Sequence, residues 1–186
     1  MNIKIIAISG KQGSGKTTLA NAIEKSLEGK ELKRMKFADG VYQLHNSVLT
    51  DLKYFKKYTK INIDDNTKNG SLLQVLGQWT RDNIDDKYWV KYIHGRIKTL
   101  NDHNTDYIII DDLRYENELK MLNLFDTTFI RLYCDESIRK ERTESWRDNT
   151  NHESETGLDN IDFVWDYIID TGNTDIEEML EIIGKL

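Results

Sequence analysis

The chain reads as an α/β sandwich on a mostly parallel sheet of about five strands, and three features predict it. Short apolar, β-branched runs alternate with longer stretches of helical periodicity, the signature of strand–helix–strand crossovers. The first run, Ile3 to Ile8, is nearly all apolar, as a central strand buried on both faces requires. A glycine-rich turn then joins that run directly to a helix.

The elements follow in order. Lys16 to about Leu27 forms the first helix, and Lys33 to Ala38 a short second strand. Val41, Leu44, Val48 and Leu52 recur at helical spacing. Lys53 to Gly70, polar and rich in Asn, Asp and Lys, reads as a mobile excursion. Leu72, Leu73 and Leu76 open another helix, and Trp89, Ile93, Ile97 and Leu100 mark a longer one. Tyr107 to Ile110 is the third strand, with a helix holding Leu119 and Leu122 after it. Phe129 to Tyr133 is the fourth strand, and Glu136 to Trp146 a charged helix. A polar loop runs from Arg147 to Asn160, Tyr167 to Ile169 is the last strand, and Ile176 to Ile183 closes the chain as a helix. Proline is absent, so the breaks rest on Gly, Asn and Asp alone.

Composition narrows the function. Hydrophobic residues at 38% and charged residues at 31% suit a folded domain. A net charge of -6 gives no long-range attraction to nucleic acid. No apolar run approaches the ~20 residues a membrane span needs. The single cysteine, Cys134, and the lack of a signal-peptide pattern lead us to expect a cytoplasmic protein, in the host cytoplasm if viral.

Ligands of parallel sheets gather at the carboxyl ends of the strands, which places Gly10, Asp39, Asp111, Asp112 and Asp135 near one edge. Gly10-Lys11-Gln12-Gly13-Ser14-Gly15-Lys16-Thr17 matches G-x-x-x-x-G-K-[ST] in full, between a strand and a helix. Its glycines let consecutive N–H groups wrap a phosphate, and the next helix adds its positive end. The candidate triphosphate ligands are Gly10, Gln12, Gly13, Ser14, Gly15, Lys16, Thr17 and Thr18. Lys16 is expected to reach the β- and γ-phosphates, and the Thr17 hydroxyl to ligate Mg²⁺.

Ile108-Ile109-Ile110 ends in Asp111 and Asp112. One of the two is expected to hold Mg²⁺ beside Thr17, and the other to orient the attacking oxygen; we assign Asp111 to the metal and Asp112 to catalysis. Arg139 and Arg142, three apart on one expected helix, share a face that suits the charge of phosphoryl transfer. Arg81, Arg114 and Arg147 lie just past expected elements, within reach of a second phosphate. His45, His94, His103 and His152 show no ligand spacing. Trp79, Trp89, Trp146 and Trp165 are expected to pack, with Trp79 also a candidate to face a substrate base.

Together these residues resemble the P-loop deoxynucleoside monophosphate kinases of bacteriophages. The glutamine-glycine helix ending in arginine is similar to Leu72 through Arg81, followed by Trp89. A D-V-R-F-x-N-E pattern resembles Asp112 to Glu118, and H-x-S-E-x-G-L matches His152 to Leu158. The ending Asp166 to Gly172 resembles the last strand and base-side loop of such kinases. The chain departs from the group in carrying Thr17 after the P-loop lysine, and Glu155 to Asn160 also resembles animal phosphomevalonate kinase, a structural relative.

The resemblance implies a nucleoside monophosphate kinase-like three-layer sandwich with a helical lid, forming one kinase domain over residues 1–186. It places an acceptor-binding insertion at about 40–105 and the lid at about 135–160. It implies ATP and Mg²⁺ as cofactors, a deoxynucleoside monophosphate as acceptor, and a homodimer, with neither nucleic acid nor membrane as partner. Gly172 and Asn173 then lie near the adenine of the donor. Arg81 and Arg114 hold the acceptor phosphate, Asp39, Gln74 and Glu155 add acceptor contacts, and Arg139 and Arg142 close over the transferred group. A kinase of another phosphorylated metabolite and a non-catalytic ATP-binding switch are the alternatives. No Asn is followed by Lys, so the guanine-reading N-K-x-D is absent.

Overall fold

The computed structural model describes residues 3–59, 69–101, 104–144, 146 and 153–184. His103, Arg147 and His152, and residues 60–68 of the expected excursion, lie outside them. The described chain forms two compact units, Met1–Lys36 with His94–Leu186, and Phe37–Ile93.

The first unit holds the sheet. Its strands are β1 (Lys4–Gly10), β2 (Leu32–Met35), β3 (Tyr107–Leu113), β4 (Asp126–Tyr133) and β5 (Tyr167–Asp170), in the order β2-β3-β1-β4-β5. Every pairing is parallel. All five strands overlap the runs that place them, and β1 and β3, the most buried, carry unbroken apolar runs because a strand covered on both faces cannot alternate with polar residues. Ile6 and Ile8 pack with Leu19, Ala20 and Ile23 of helix α1 (Lys16–Ser26) and with Met179 and Ile183 of the closing helix. Ile5, Ala7, Ile108 and Ile110 point the other way and are equally buried. Each such isoleucine contributes about 1.5–3 kcal/mol.

β1 lies between β3 and β4, where the strand order reverses, so the loop after Gly10 opens at the crevice such sheets use for ligands. β3 runs three residues further than expected, to Leu113, and takes Asp111 and Asp112 into the strand. A register shift between Ala7 and Ser9 of β1 accompanies this, and the Ser9 hydroxyl donates to the Leu113 carbonyl at 2.9 Å.

The second unit is helical: α2 (Asp39–Thr59), α3 (Gly70–Asn83) and the first part of α4 (Tyr88–Asn101). Gly40 sits where a Cβ would come within 2.6 Å of the Trp89 ring, and the Trp89 indole N–H donates to the Gly77 carbonyl at 3.1 Å. The stretch from Lys53 to Thr59, expected as part of a mobile excursion, is helix instead. Lysine is a good helix former, and Lys57 lies over the rings of Tyr54 and Tyr58. Polar composition there marks an exposed helix face rather than a loop. Trp79 also departs from packing, being 55% exposed.

After β3 come α5 (Glu116–Leu122), then α6 (Glu136–Glu141), α7 (Glu153–Thr156) and α8 (Ile176–Ile183). α6 ends earlier than its charge pattern suggests. Thr143 Oγ1 donates to the Arg139 carbonyl, and the Thr143 N–H turns back to Lys140, tightening the last turn. α7 is a helical turn within the expected polar loop. Among the described residues, no helix is long and apolar enough to cross a membrane.

Glu118, 5% exposed, reaches back from α5 to the N–H groups of Arg114 and Tyr115 at 2.8 and 3.1 Å. Burial, then the charge of Asp112, pushes its carboxyl up to about 8. The unfolded chain therefore releases this proton from about pH 4.5 while the native chain keeps it to about pH 8, so stability falls with rising pH between those values. Glu118→Gln keeps an oxygen acceptor and carries no charge. Its stability is expected to gain on the wild type by about 1.4 kcal/mol per pH unit across that window, read from urea unfolding at several pH values. Parallel profiles for the two proteins would contradict this.

Candidate functional site

The glycine-rich loop builds the site from its own backbone. Gly13 and Gly15 have φ of +77° and +85°, a left-handed conformation that side chains disfavour. Gly15 is the N-cap of α1; no side chain caps the helix, and its first turn holds no acidic residue. The N–H groups of the first turn are thus left for an anion, with the helix dipole behind them. A Cβ on Gly15 would meet nothing within 4 Å, so the loop is open on that side.

Lys16 folds over the loop. Its ammonium donates to the carbonyls of Gly10 and Lys11 at 2.6 and 2.9 Å. Burial, then the charge of Arg114, pulls its pKa down to about 8. The charge is short of compensation in the free chain, and a triphosphate would supply it.

Beside it, Thr17 Oγ1 donates to Asp111 Oδ2 at 3.2 Å. Asp111 is buried, with Arg34 on Oδ2 at 2.8 Å and Lys36 Nζ 3.4 Å from Oδ1. A hydroxyl beside a carboxylate is a pair of hard oxygen donors and fits Mg²⁺, which takes few protein ligands and completes its shell with phosphate oxygens and water. Oδ1 accepts no hydrogen bond among the described residues and has the Lys36 ammonium beside it, so an ion there would take the place of that ammonium. Asp111 is thus the carboxylate beside Thr17, while the charge of Asp112 bears on Glu118.

Arg139 and Arg142 do not share one open face: Arg142 is exposed and Arg139 is not. Arg139 is buried, its Nε donating to the Cys134 carbonyl and its Nη1 to the Gln12 carbonyl, both at 3.0 Å. Arg142 holds the Thr171 carbonyl at 2.8 Å. Thr171 Oγ1 in turn donates to the Ser14 carbonyl at 3.0 Å. The two arginines tie the P-loop to the loop after β5, where Asp170 accepts from the Gly172 N–H and the Asn173 amide. For either guanidinium to face a transferred phosphoryl group, it must first leave its carbonyl.

Arg114 donates to Glu155 Oε1 at 2.5 Å, and Glu155 Oε2 accepts the Gln12 N–H at 2.7 Å. Glu155 therefore bridges Arg114 to the P-loop. Burial acts to raise its carboxyl, but the bonds from Gln12 and Arg114 outweigh it and hold it below its usual value. In the helical unit, Asp39 starts α2, Gln74 is exposed on α3, and Arg81 donates to Gln78 Oε1 at 2.9 Å.

Sequence reasoning missed Arg34, Thr171 and Arg131. Arg131 was the most findable, as the lone charge in the apolar run from Phe129 to Tyr133.

The structure is similar to an unliganded sugar kinase from Janibacter sp. HTCC2649, with 15% identity, a TM-score of 0.58, and coverage of 97% of this chain and 91% of that one. It is also similar to the APS kinase of Mycobacterium tuberculosis solved in complex with AMPPNP and APS, with 10% identity, a TM-score of 0.51 and 98% of each chain covered. At these identities the likeness establishes the fold. No curated protein matches the chain in sequence. A family model described as an AAA domain matches residues 6–161, spanning the P-loop, Asp111, Arg114 and Glu155. The chain belongs to the AAA domain family, with the α/β P-loop fold.

Proposed function

We propose that this chain is an ATP-dependent phosphotransferase that converts (deoxy)nucleoside monophosphates to diphosphates. The observation that carries the proposal is the pairing of a P-loop whose helix α1 is left uncapped with a half-buried Lys16 folded onto the loop carbonyls, and with Arg114 in the field of that lysine. A loop that only bound a triphosphate would not need a guanidinium there besides the Lys16 ammonium. Phosphoryl transfer does, because negative charge spreads over the equatorial oxygens of the moving group. No covalent protein nucleophile is required, since the chemistry asks for positioning and charge neutralisation.

In this reading the P-loop N–H groups and Lys16 hold the donor, and Gly172 and Asn173 lie toward its base. Thr17 and Asp111 would hold Mg²⁺, which when bound would supply positive charge to the phosphate oxygens of the donor. Asp112 orients the acceptor oxygen. Arg114 is proposed for the acceptor phosphate, and in the helical unit Arg81, Asp39 and Gln74 keep the acceptor roles that the resemblance implies. Arg139 and Arg142 act through the loops they hold.

The test is a panel. Purified protein with ATP·Mg²⁺ is expected to release ADP in the presence of dGMP or dTMP and to yield the matching diphosphate. ATP binding with no product from any common monophosphate would sink the proposal. It would then favour a kinase of a different phosphorylated metabolite, or a binding switch.

A further inference from the structure

The P-loop pattern leaves one group of charges beside it unexplained. Arg131 stands on β4 in register with Ser9. Its guanidinium donates to Ser9 Oγ at 2.7 Å and to Asp159 Oδ1 at 2.6 Å. The carbon of that guanidinium lies 5.6 Å from the centre of the Trp165 ring. Lys11 of the P-loop pairs with the other oxygen of Asp159 at 2.7 Å. Arg114, besides holding Glu155, donates to the Ser154 carbonyl at 2.8 Å. Glu155 feels Lys16, and Arg131 feels Glu155.

Glu155 is 8% exposed, so this is not a solvated ion pair. A carboxylate that takes a P-loop N–H and an arginine, with a lysine and a second arginine in its field, has the surroundings of a phosphoryl oxygen. Glu155 and Asp159 come from one short segment, four residues apart, and neutralise cations from three elements: the P-loop, the end of β3 and β4. Partly buried cations left unpaired are costly, so a site that must be cationic with ligand bound needs a counter-charge without it.

We propose that Glu155 and Asp159 are the internal counter-anion of an oxyanion site formed by the Gln12 N–H, Arg114 and Arg131, and that a phosphate group binds there by displacing them. The inference rests on the kinase reading only in taking phosphate as the displacing group. Displacement frees the 153–159 segment from the P-loop, so occupancy of the site is reported to the segment. Arg131 thereby becomes a phosphate ligand, a role that the motif does not assign to it.

Calorimetric titration of inorganic phosphate into the full chain tests this without any turnover. Glu155→Gln is expected to bind phosphate about tenfold tighter than wild type, since an internal competitor is removed while an acceptor for Gln12 is kept. Adding Arg131→Met is expected to cancel the gain. No gain in Glu155→Gln, or a gain that survives in the double variant, would overturn the proposal. Should Glu155→Gln fail to fold, Asp159→Asn carries the same expectation, and no gain there is equally fatal. Repeating the titration with AMPPNP and Mg²⁺ present separates the two sources of phosphate. A retained gain assigns the site to a group other than the donor's, and a lost gain assigns it to the donor. Failure of the monophosphate panel leaves these titrations readable, so the two readings fall separately.

Discussion

Replacing Lys16 with Ala is expected to lower phosphoryl transfer by roughly 10²- to 10³-fold in kcat while leaving the fold intact. In the free chain the ammonium is spent on two carbonyls of its own loop, Gly10 and Lys11. The Lys11 carbonyl also accepts the Ser14 N–H at 3.2 Å, so it keeps a partner when the ammonium leaves. The group is buried enough for its pKa to fall to about 8, which means that burying the charge costs stability. Alanine removes that cost along with two hydrogen bonds, and the melting temperature is expected to stay within about 5 °C. Catalysis has no such compensation. Lysine charge is most useful when the γ-phosphoryl is in flight, so the loss falls on kcat more than on the KM for ATP. Steady-state kinetics with the best acceptor of the panel checks this. A kcat near the wild-type value would show that the P-loop is not where transfer happens.

Gly13→Ala is expected to destabilise the protein by about 2–5 kcal/mol and to abolish nucleotide binding. Two independent costs add. A left-handed φ of +77° is worth about 1–2 kcal/mol against an L side chain. The new methyl would also stand 2.6 Å from the Arg139 carbonyl and 2.8 Å from Thr143 Oγ1, an overpacking that typically costs 1–3 kcal/mol. The Arg139 carbonyl is fixed by Thr143 from one side, and the Arg139 guanidinium holds the P-loop at Gln12 from the other. The loop therefore cannot yield without breaking its own tether. Gly15→Ala is the control, since φ is +85° there but a Cβ meets nothing within 4 Å. Thermal melts are expected to fall clearly further for Gly13→Ala than for Gly15→Ala. Equal shifts would mean that α6 does not brace the loop.

These variants also show which parts of the molecule the sequence makes legible. The strands and the P-loop are local signals: β1 and β3 must be apolar because both faces are covered, and a phosphate loop needs glycine where φ is positive. The partners of Arg139, Arg142 and Glu155 are not local. Arg139 meets Gln12 across 127 positions, and Gln12 meets Glu155 across 143, with no periodicity to announce either contact. Residue type suggests arginines for phosphate, and the structure spends two of them on carbonyls that hold the loops in place. Asp111 was legible as a carboxylate near the strand end, but not its burial inside β3 beside Arg34. The reach of α2 to Thr59 was hidden because lysine-rich sequence serves an exposed helix as well as a loop.

The central claim is that the loop from Gly10 to Thr17 presents a triphosphate for transfer to a second phosphate-bearing molecule. The most direct measurement follows the γ-phosphorus of labelled ATP·Mg²⁺ incubated with the protein and a deoxynucleoside monophosphate. The account predicts label in the nucleoside diphosphate formed from the acceptor, at a rate that Lys16→Ala lowers by orders of magnitude. Label found only in inorganic phosphate, or retained in ATP whatever the acceptor, would contradict it.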